Sequence, residues 1–266
     1  MKIDLQGVSN ARDLGGMAIG DKRITTCRLL RSGEHNRLTD SDKRLLADMG
    51  LQRVIDLRTP PEIANVPDNK IDGVQYEYIS VIPATTFGIS YETTDGATIA
   101  KYLQAGLERM ASRGETPAEH MQDLYCRFAT LPHCREKIGE FVHTLAHNPV
   151  WGATLWHCSA GKDRVGVCTA TLLHCLGASR RQIVDDYMLT NTQTETSRQS
   201  ILNKVAPHVS ADVLQLVRQM LCVDESYIAR FFDTAENLYG TFDNFVQATG
   251  VTEQDRELLK KEYLIE

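Results

Sequence analysis

Cys158 and Arg164 bracket a loop of five residues in the run His157-Cys158-Ser159-Ala160-Gly161-Lys162-Asp163-Arg164. These residue types at this spacing suit nucleophilic displacement at phosphorus. Such chemistry needs a thiolate, donors for three equatorial oxygens, and a positive charge matched to the developing transition state. A free thiol titrates near roughly 8.5, and a helix N-terminus with neighbouring cations lowers that by about one to several units. The backbone N–H groups from Ser159 through Ala160, Gly161, Lys162 and Asp163 can point inward as an anion nest, with Gly161 free to take a dihedral that other residues resist. Arg164 closes the ring with a planar fork that binds two phosphate oxygens, which a lysine cannot imitate.

Spacing alone does not identify such a loop. The chain has seven cysteines, so a bare Cys-x5-Arg arises readily by chance, and Cys175-Leu176-Gly177-Ala178-Ser179-Arg180-Arg181 also satisfies it. Context separates the two. Residues 149–157 read as a strand ahead of Cys158, and residues 164–176 as an apolar helix closed by Gly177, which puts Cys158 at a strand–loop–helix junction. Cys175 falls at the far end of that helix, with no strand before it and no helix dipole aimed at its sulfur. It reads as a packing residue.

The elements that must position the loop alternate along the chain. Residues 38–50 carry polar capping residues, early acids, apolar positions at helical spacing and a final glycine, which predicts a helix. Residues 52–58 form a short branched apolar run closed by Thr59-Pro60-Pro61, a strand ending at a turn, with Asp56 and Arg58 at its C-terminal end. A further strand is expected over 74–82. Residues 118–129 and 134–147 show amphipathic helical spacing. Ser179 and Gln182 form a capping-box pair for a helix through Tyr187, and Thr252 starts a terminal helix. Strands interleaved with helices predict an α/β fold with a helical C-terminal third. The 266 residues suit a single domain over 1–266, and a Thr-, Gly- and Ser-rich stretch at 84–96 with the helical segment after it marks an insertion or lid around 83–115.

Composition narrows the partners. An apolar share of 42% and a charged share of 24% describe an ordinary folded protein, and the net charge of -6 argues against nucleic acid, whose backbone needs a clustered basic surface. An anionic substrate must therefore meet a local positive pocket. No secretory signal or membrane-spanning run is readable, so a cytoplasmic location is expected, with export by a signal-independent route still compatible. The cysteines are scattered, odd in number and without a Cys-x-x-Cys pair, which fits a reducing compartment.

The loop from His157 to Arg164 resembles the His-Cys-x-x-Gly-Lys-Asp-Arg loop of the atypical bacterial tyrosine phosphatases, mycobacterial and Listeria enzymes among them. Asn10-Ala11-Arg12-Asp13-Leu14-Gly15-Gly16, Leu30-Arg31-Ser32-Gly33, Val54-Ile55-Asp56-Leu57-Arg58 and Tyr239-Gly240-Thr241-Phe242-Asp243-Asn244 resemble that family's other signatures in the same order. The resemblance covers most of the chain and is weakest over 83–115. It implies a tyrosine phosphatase-like fold with a central, mostly parallel sheet flanked by helices, and no metal or other cofactor. It also implies activity toward phosphotyrosine, phosphoserine, phosphothreonine or phosphoinositides.

Other residues are assigned against simpler readings. The Trp-Pro-Asp tripeptide that supplies the general acid in typical tyrosine phosphatases is absent. Asp123 lies on an expected helix and reads as solvated, which leaves Asp163 and Asp56, with Asp163 preferred; a positioned acid contributes about 10²–10⁴-fold. Lys162 is either a contact for a second phosphate or a solvated rim cation. Arg12, Arg31 and Arg58 either surround the pocket or form ordinary salt bridges, and His157 is expected to fix the loop from below. His143 and His147 have the helical spacing of two metal ligands, with Cys134 nearby, but no third ligand sits at a recognisable spacing, so a partly solvated helix face is favoured. A nucleotide-binding P-loop fails because Gly161-Lys162 is followed by Asp163 and the required upstream glycine position holds Trp156. A phosphate-binding module without turnover and a rhodanese-like sulfur transferase are the competing classes. Retention of Cys158, Asp163 and Arg164 together favours catalysis.

Overall fold

The computed structural model describes residues 1–84 and 95–266. Its centre is a five-stranded sheet of β1 (Arg12–Asp13), β4 (Leu29–Ser32), β7 (Ala153–His157), β5 (Leu51–Asp56) and β6 (Gln75–Tyr78), in that spatial order. The last four are parallel, and β1 alone runs antiparallel, against β4. A second small sheet joins β2 (Ala18–Ile19), β3 (Lys22–Ile24) and β8 (Leu264–Ile265), tying the N-terminal hairpin to the C-terminal strand.

Both faces of the central sheet are covered, and adjacent residues divide between them. Leu29, Ile55 and Trp156 join one apolar cluster, whereas Leu30, Val54 and Leu155 join the other. A strand buried on both faces reads as a continuous apolar run without alternation. The larger cluster packs against α4 (Pro117–Thr130), α5 (Pro132–His147), α6 (Asp163–Leu176), α7 (Arg180–Gln193), α10 (Glu225–Tyr239), α11 (Phe242–Ala248) and α12 (Glu253–Tyr263). The smaller one packs under α1 (Asp40–Asp48). A third cluster, with Ile99, Leu103, Leu107, Ile201, Leu202 and Val217, belongs to α3 (Gly96–Ser112), α8 (Glu195–Val205) and α9 (Ala211–Leu221).

The register brings three strand ends together, because Ser32 of β4 and Asp56 of β5 both pair with His157 of β7. The loop that follows β7 therefore emerges between two neighbouring strand ends, where an open parallel sheet presents its crevice.

The α/β architecture and the helical C-terminal part agree with the sequence. Several elements differ in extent. The strand expected over 74–82 is an edge strand of four residues, and β7 begins only at Ala153, with Trp151 exposed in the preceding turn. Thr59-Pro60-Pro61 does not simply turn the chain. It opens a helix, α2 (Pro60–Asn65), because proline is tolerated at the first helical positions and the Glu62 carboxylate accepts bonds from both Thr59 N and Oγ1, at 2.9 and 2.7 Å. The strands β1 to β4 and β8 were not anticipated: each has two to four residues, too few to show a period. Of the expected insertion, residues 85–94 lie outside the described residues, and its helical part is α3.

Candidate active site

The loop after β7 is held by its carbonyl groups. Ser159 O accepts from Glu34 N at 3.0 Å, Ala160 O and Gly161 O accept from Asn10 Nδ2 at 3.1 and 2.8 Å, and Gly161 O also accepts from Arg31 Nη2 at 2.9 Å. Lys162 O takes the Gly166 amide of α6 at 2.9 Å. In a trans peptide the N–H points opposite to the carbonyl. Anchoring the carbonyls on the protein side turns the amides of residues 160–163 the other way and builds an anion nest. Gly161 has φ +64, and a Cβ there would stand 2.3 Å from Ser32 O, so only glycine closes this turn against β4.

Cys158 is buried at the base of a cavity of about 320 Å³. It is lined by the loop residues Ser159, Ala160, Lys162, Asp163 and Arg164, by the apolar Leu103, Met110, Met121, Leu124, Ile201 and Leu221, and by the charged Arg109 and Arg198. Arg164 is clamped by Glu62, with Nη1 to Oε2 at 2.7 Å and Nη2 to Oε1 at 2.8 Å, and Ser159 Oγ donates to Glu62 Oε1 at 3.0 Å. Burial works against the Arg164 charge, but Cys158 and Glu62 outweigh it and push its pKa up. Burial likewise opposes ionisation of Glu62, but Arg164 and Thr59 hold its pKa down at about 2. The bidentate pair fixes the guanidinium plane.

Asp163 is the first residue of α6 and lines the cavity. Its Oδ1 accepts from Tyr125 Oη at 2.8 Å, and Tyr125 Oη lies 2.7 Å from Tyr187 Oη. Burial, then the Asp163 charge, pushes the Tyr125 pKa well up, so it stays a donor. Lys162 is less a rim cation than a tether. It is nearly buried, and its Nζ donates to Met220 O at 2.7 Å at the end of α9, with Asp163 Oδ2 at 3.6 Å.

Arg12, Arg31, Arg58, Asp56 and His157, the candidate pocket residues, are all buried and none lines the cavity. Their charges are spent beneath the loop. Asp186 of α7 pairs with Arg12 Nε at 2.9 Å and Arg31 Nη1 at 2.6 Å. Arg31 has its pKa lowered to about 10 by burial and by Arg12, against Asp186. Arg58 is held by Asp56 and Asp68, each at 2.8 Å, and by Glu34 at 3.3 Å. Asp56, the alternative acid, has both oxygens on Arg58. His157 Nε2 is 3.1 Å from Asp68 Oδ2 without the alignment of a hydrogen bond, and its ring stacks on His35 at 4.5 Å. Burial opposes charge on His157, yet Asp56 and Asp68 prevail and raise its pKa; burial and His157 drive His35 down to about 3. His157 is the last residue of β7, stacked on His35 and directly before Cys158.

Asp123 is exposed on α4 and paired with Arg127, a solvated helix face. Cys175 is buried at the end of α6 with its thiol pushed up to about 12 by burial, and Arg181 is exposed and paired with Asp185. Glu62, Asp186, Tyr125, Asp68 and His35 were missed in the sequence. Only Glu62 left a local signal, the Thr59-x-x-Glu62 capping box; the others reach the site by tertiary contact.

A loop with a buried cysteine and a clamped arginine thus stands at the head of a parallel sheet, and comparison with known proteins gives the class: a tyrosine phosphatase. The model of the tyrosine phosphatase family matches residues 3–265, and the chain belongs to that family. It is 28% identical to a Cupriavidus necator protein assigned as a tyrosine-protein phosphatase, over 97% of this chain and 86% of that one. It is 27% identical to the triple specificity protein phosphatase PtpB of Mycobacterium tuberculosis, over 94% of each chain. A tyrosine-protein phosphatase of Nostoc commune is 29% identical over 60% of this chain and 47% of its own.

Proposed function

We propose that the protein hydrolyses phosphate monoesters through a phosphocysteine intermediate, without a metal, and that its substrates are phosphorylated proteins, phosphotyrosine foremost, with dual specificity. The observation that carries this is Cys158 beneath a nest of amides, with Arg164 pre-aligned by Glu62. The nest and guanidinium take the three non-bridging oxygens. Cys158 Sγ bonds to phosphorus as the bond to the leaving oxygen breaks, and protonated Asp163 gives that oxygen its proton. Water then attacks phosphorus, the S–P bond breaks, Asp163 takes the water's proton, and inorganic phosphate and the thiolate are released.

Asp163 is preferred to Asp56 as the acid because it lines the cavity, with one oxygen oriented by Tyr125, whereas Asp56 is engaged by Arg58. The apolar part of the lining suits an aryl ester. A phosphoinositide headgroup is the second reading, favoured by Arg109 and Arg198, which line the same cavity. In this reading the chain is one domain over 1–266, and the segment 83–115 contributes Tyr102, Leu103, Arg109 and Met110 to the lining of the cavity. A cytoplasmic site of action is supported by seven unpaired cysteines, and the net charge of -6 speaks against nucleic acid. No described helix is long and apolar enough to cross a membrane.

The test is hydrolysis of aryl phosphates with leaving groups of graded pKa by wild type, Cys158→Ser, Asp163→Asn and Asp56→Asn. Cys158→Ser should lose turnover, and residual activity there removes the phosphocysteine. Asp163→Asn should lose about 10²–10⁴-fold on poor leaving groups and little on good ones. A flat response assigns the proton elsewhere. Phosphotyrosine peptides and soluble phosphoinositides run side by side rank the two substrate classes.

A further inference from the structure

His143 and His147 lie one turn apart on α5, and the fold supplies the third donor that their spacing alone did not reveal. Asp255, in the first turn of α12, places Oδ1 3.3 Å from His143 Nδ1 and 2.5 Å from His147 Nε2. The three donor atoms lie within 4.8 Å of one another. The imidazoles stack at 4.1 Å with their planes 26° apart, and both are open to solvent, whereas the Asp255 side chain is 2% exposed. The second carboxylate oxygen, Oδ2, is fixed by Thr252 N at 2.6 Å and Thr252 Oγ1 at 2.8 Å. One oxygen caps the helix and the other is aimed at two imidazole nitrogens. A single acceptor shared by two rings is a geometry that one cation can replace.

We propose that His143, His147 and Asp255 form a binding site for a divalent transition ion of the zinc class, clamping α5 to α12. Two imidazoles and a carboxylate match Zn²⁺, and the donor set is too rich in nitrogen for Mg²⁺ or Ca²⁺. Metal–donor bonds of about 2.0–2.2 Å put tetrahedral donors about 3.3 Å apart, the separation His143 and Asp255 already show. His147 must retreat by less than one ångström, which its exposed ring allows. Solvent fills the remaining position. Among the described residues one other group has three suitable donors close together, Asp56, Asp68 and His157, but it is buried around the Arg58 guanidinium, which already occupies the place of a cation. None of the three residues proposed here lines the cavity above Cys158, so the site is independent of phosphoryl transfer.

The test is a titration of the chelator-treated full chain with Zn²⁺ against a competing chromophoric chelator, repeated with His143→Ala and His143→Ala/His147→Ala. Free thiols bind zinc too, so the readout is the difference between variants that keep every cysteine. Wild type should bind one more equivalent than the double variant. Loss of one imidazole should weaken that equivalent at least about tenfold, since even outer-shell changes cost 10–100-fold. Zn²⁺ should also raise the unfolding midpoint of wild type more than that of the double variant, since an ion that binds only the folded state stabilises it. Asp255→Asn, which keeps an oxygen for the Thr252 cap, should lose the same equivalent. Equal stoichiometry and affinity in wild type and the double variant overturn the site.

Discussion

The chain contains the same cysteine–arginine spacing twice, and the two segments differ in what lies around them. Arg164 is buried and gripped by Glu62 through two bonds, while Arg181 is exposed on a helix surface with Asp185 four residues on. Cys158 opens on a cavity; Cys175 is sealed in the core with its thiol at about 12. Each segment also has a glycine with positive φ. At Gly161 a Cβ would collide with Ser32 O at 2.3 Å, and at Gly177 it would meet only the Ile19 methyl at 3.5 Å. The build of the Cys158 loop is therefore not made by the spacing. It is made by partners from distant parts of the chain that fix its carbonyls, its turn and its guanidinium.

The sharpest way to break this comparison is to remove the support under one arginine pair. Asp186→Ala leaves Arg12 and Arg31 buried side by side without their shared carboxylate, and should cost about 3–5 kcal/mol, read as a drop in the urea midpoint. Arg181→Ala, at an exposed arginine paired only with Asp185, should stay within about 0.5 kcal/mol. A similar loss in both would show that burial does not set the difference. Next in size is the glycine pair. Gly161→Ala should lower kcat by about 10²–10³-fold, as expected when donors to a developing anion are displaced. Gly177→Ala should cost about 1–2 kcal/mol of stability and leave kcat near wild type. Assay at a temperature where both variants are folded separates the two effects.

Much of the loop's build was legible because its evidence is local: a strand, a glycine and a helix start within a few residues of Cys158. The amphipathic helices α4 and α5 and the capped starts of α7 and α12 were legible for the same reason. The fate of the other arginines was not. Arg12, Arg31 and Arg58 look like surface cations in the sequence, and only the fold shows the carboxylates of Asp186, Asp56, Asp68 and Glu34 that consume their charge. The local positive pocket demanded by the net charge is supplied by other residues of the cavity, Arg109, Lys162, Arg164 and Arg198. His143 and His147 were hidden in the same way, since Asp255 lies more than a hundred residues along the chain.

The smallest expected effect isolates the partner that distinguishes Arg164. Glu62→Gln keeps the side chain's shape and can still accept from Thr59, but removes the charge that aligns the guanidinium. Misalignment of this order costs up to ~10²-fold in rate, with a larger change in kcat than in KM, because the arginine matters most when charge builds on the phosphoryl oxygens. The same variant carries a pH signature in stability. The Glu62 pKa falls from an ordinary 4.5 to about 2 in the folded protein. Its ionised form therefore stabilises the fold fully above pH 4.5, and that contribution disappears as the pH drops toward 2. The stability gap between wild type and Glu62→Gln should be constant above pH 5 or so and close between pH 4.5 and 2. A gap unchanged by acid would mean that Glu62 acts by shape and not by charge. The clamp on Arg164 would then be no different in kind from the helix-surface pairing of Arg181.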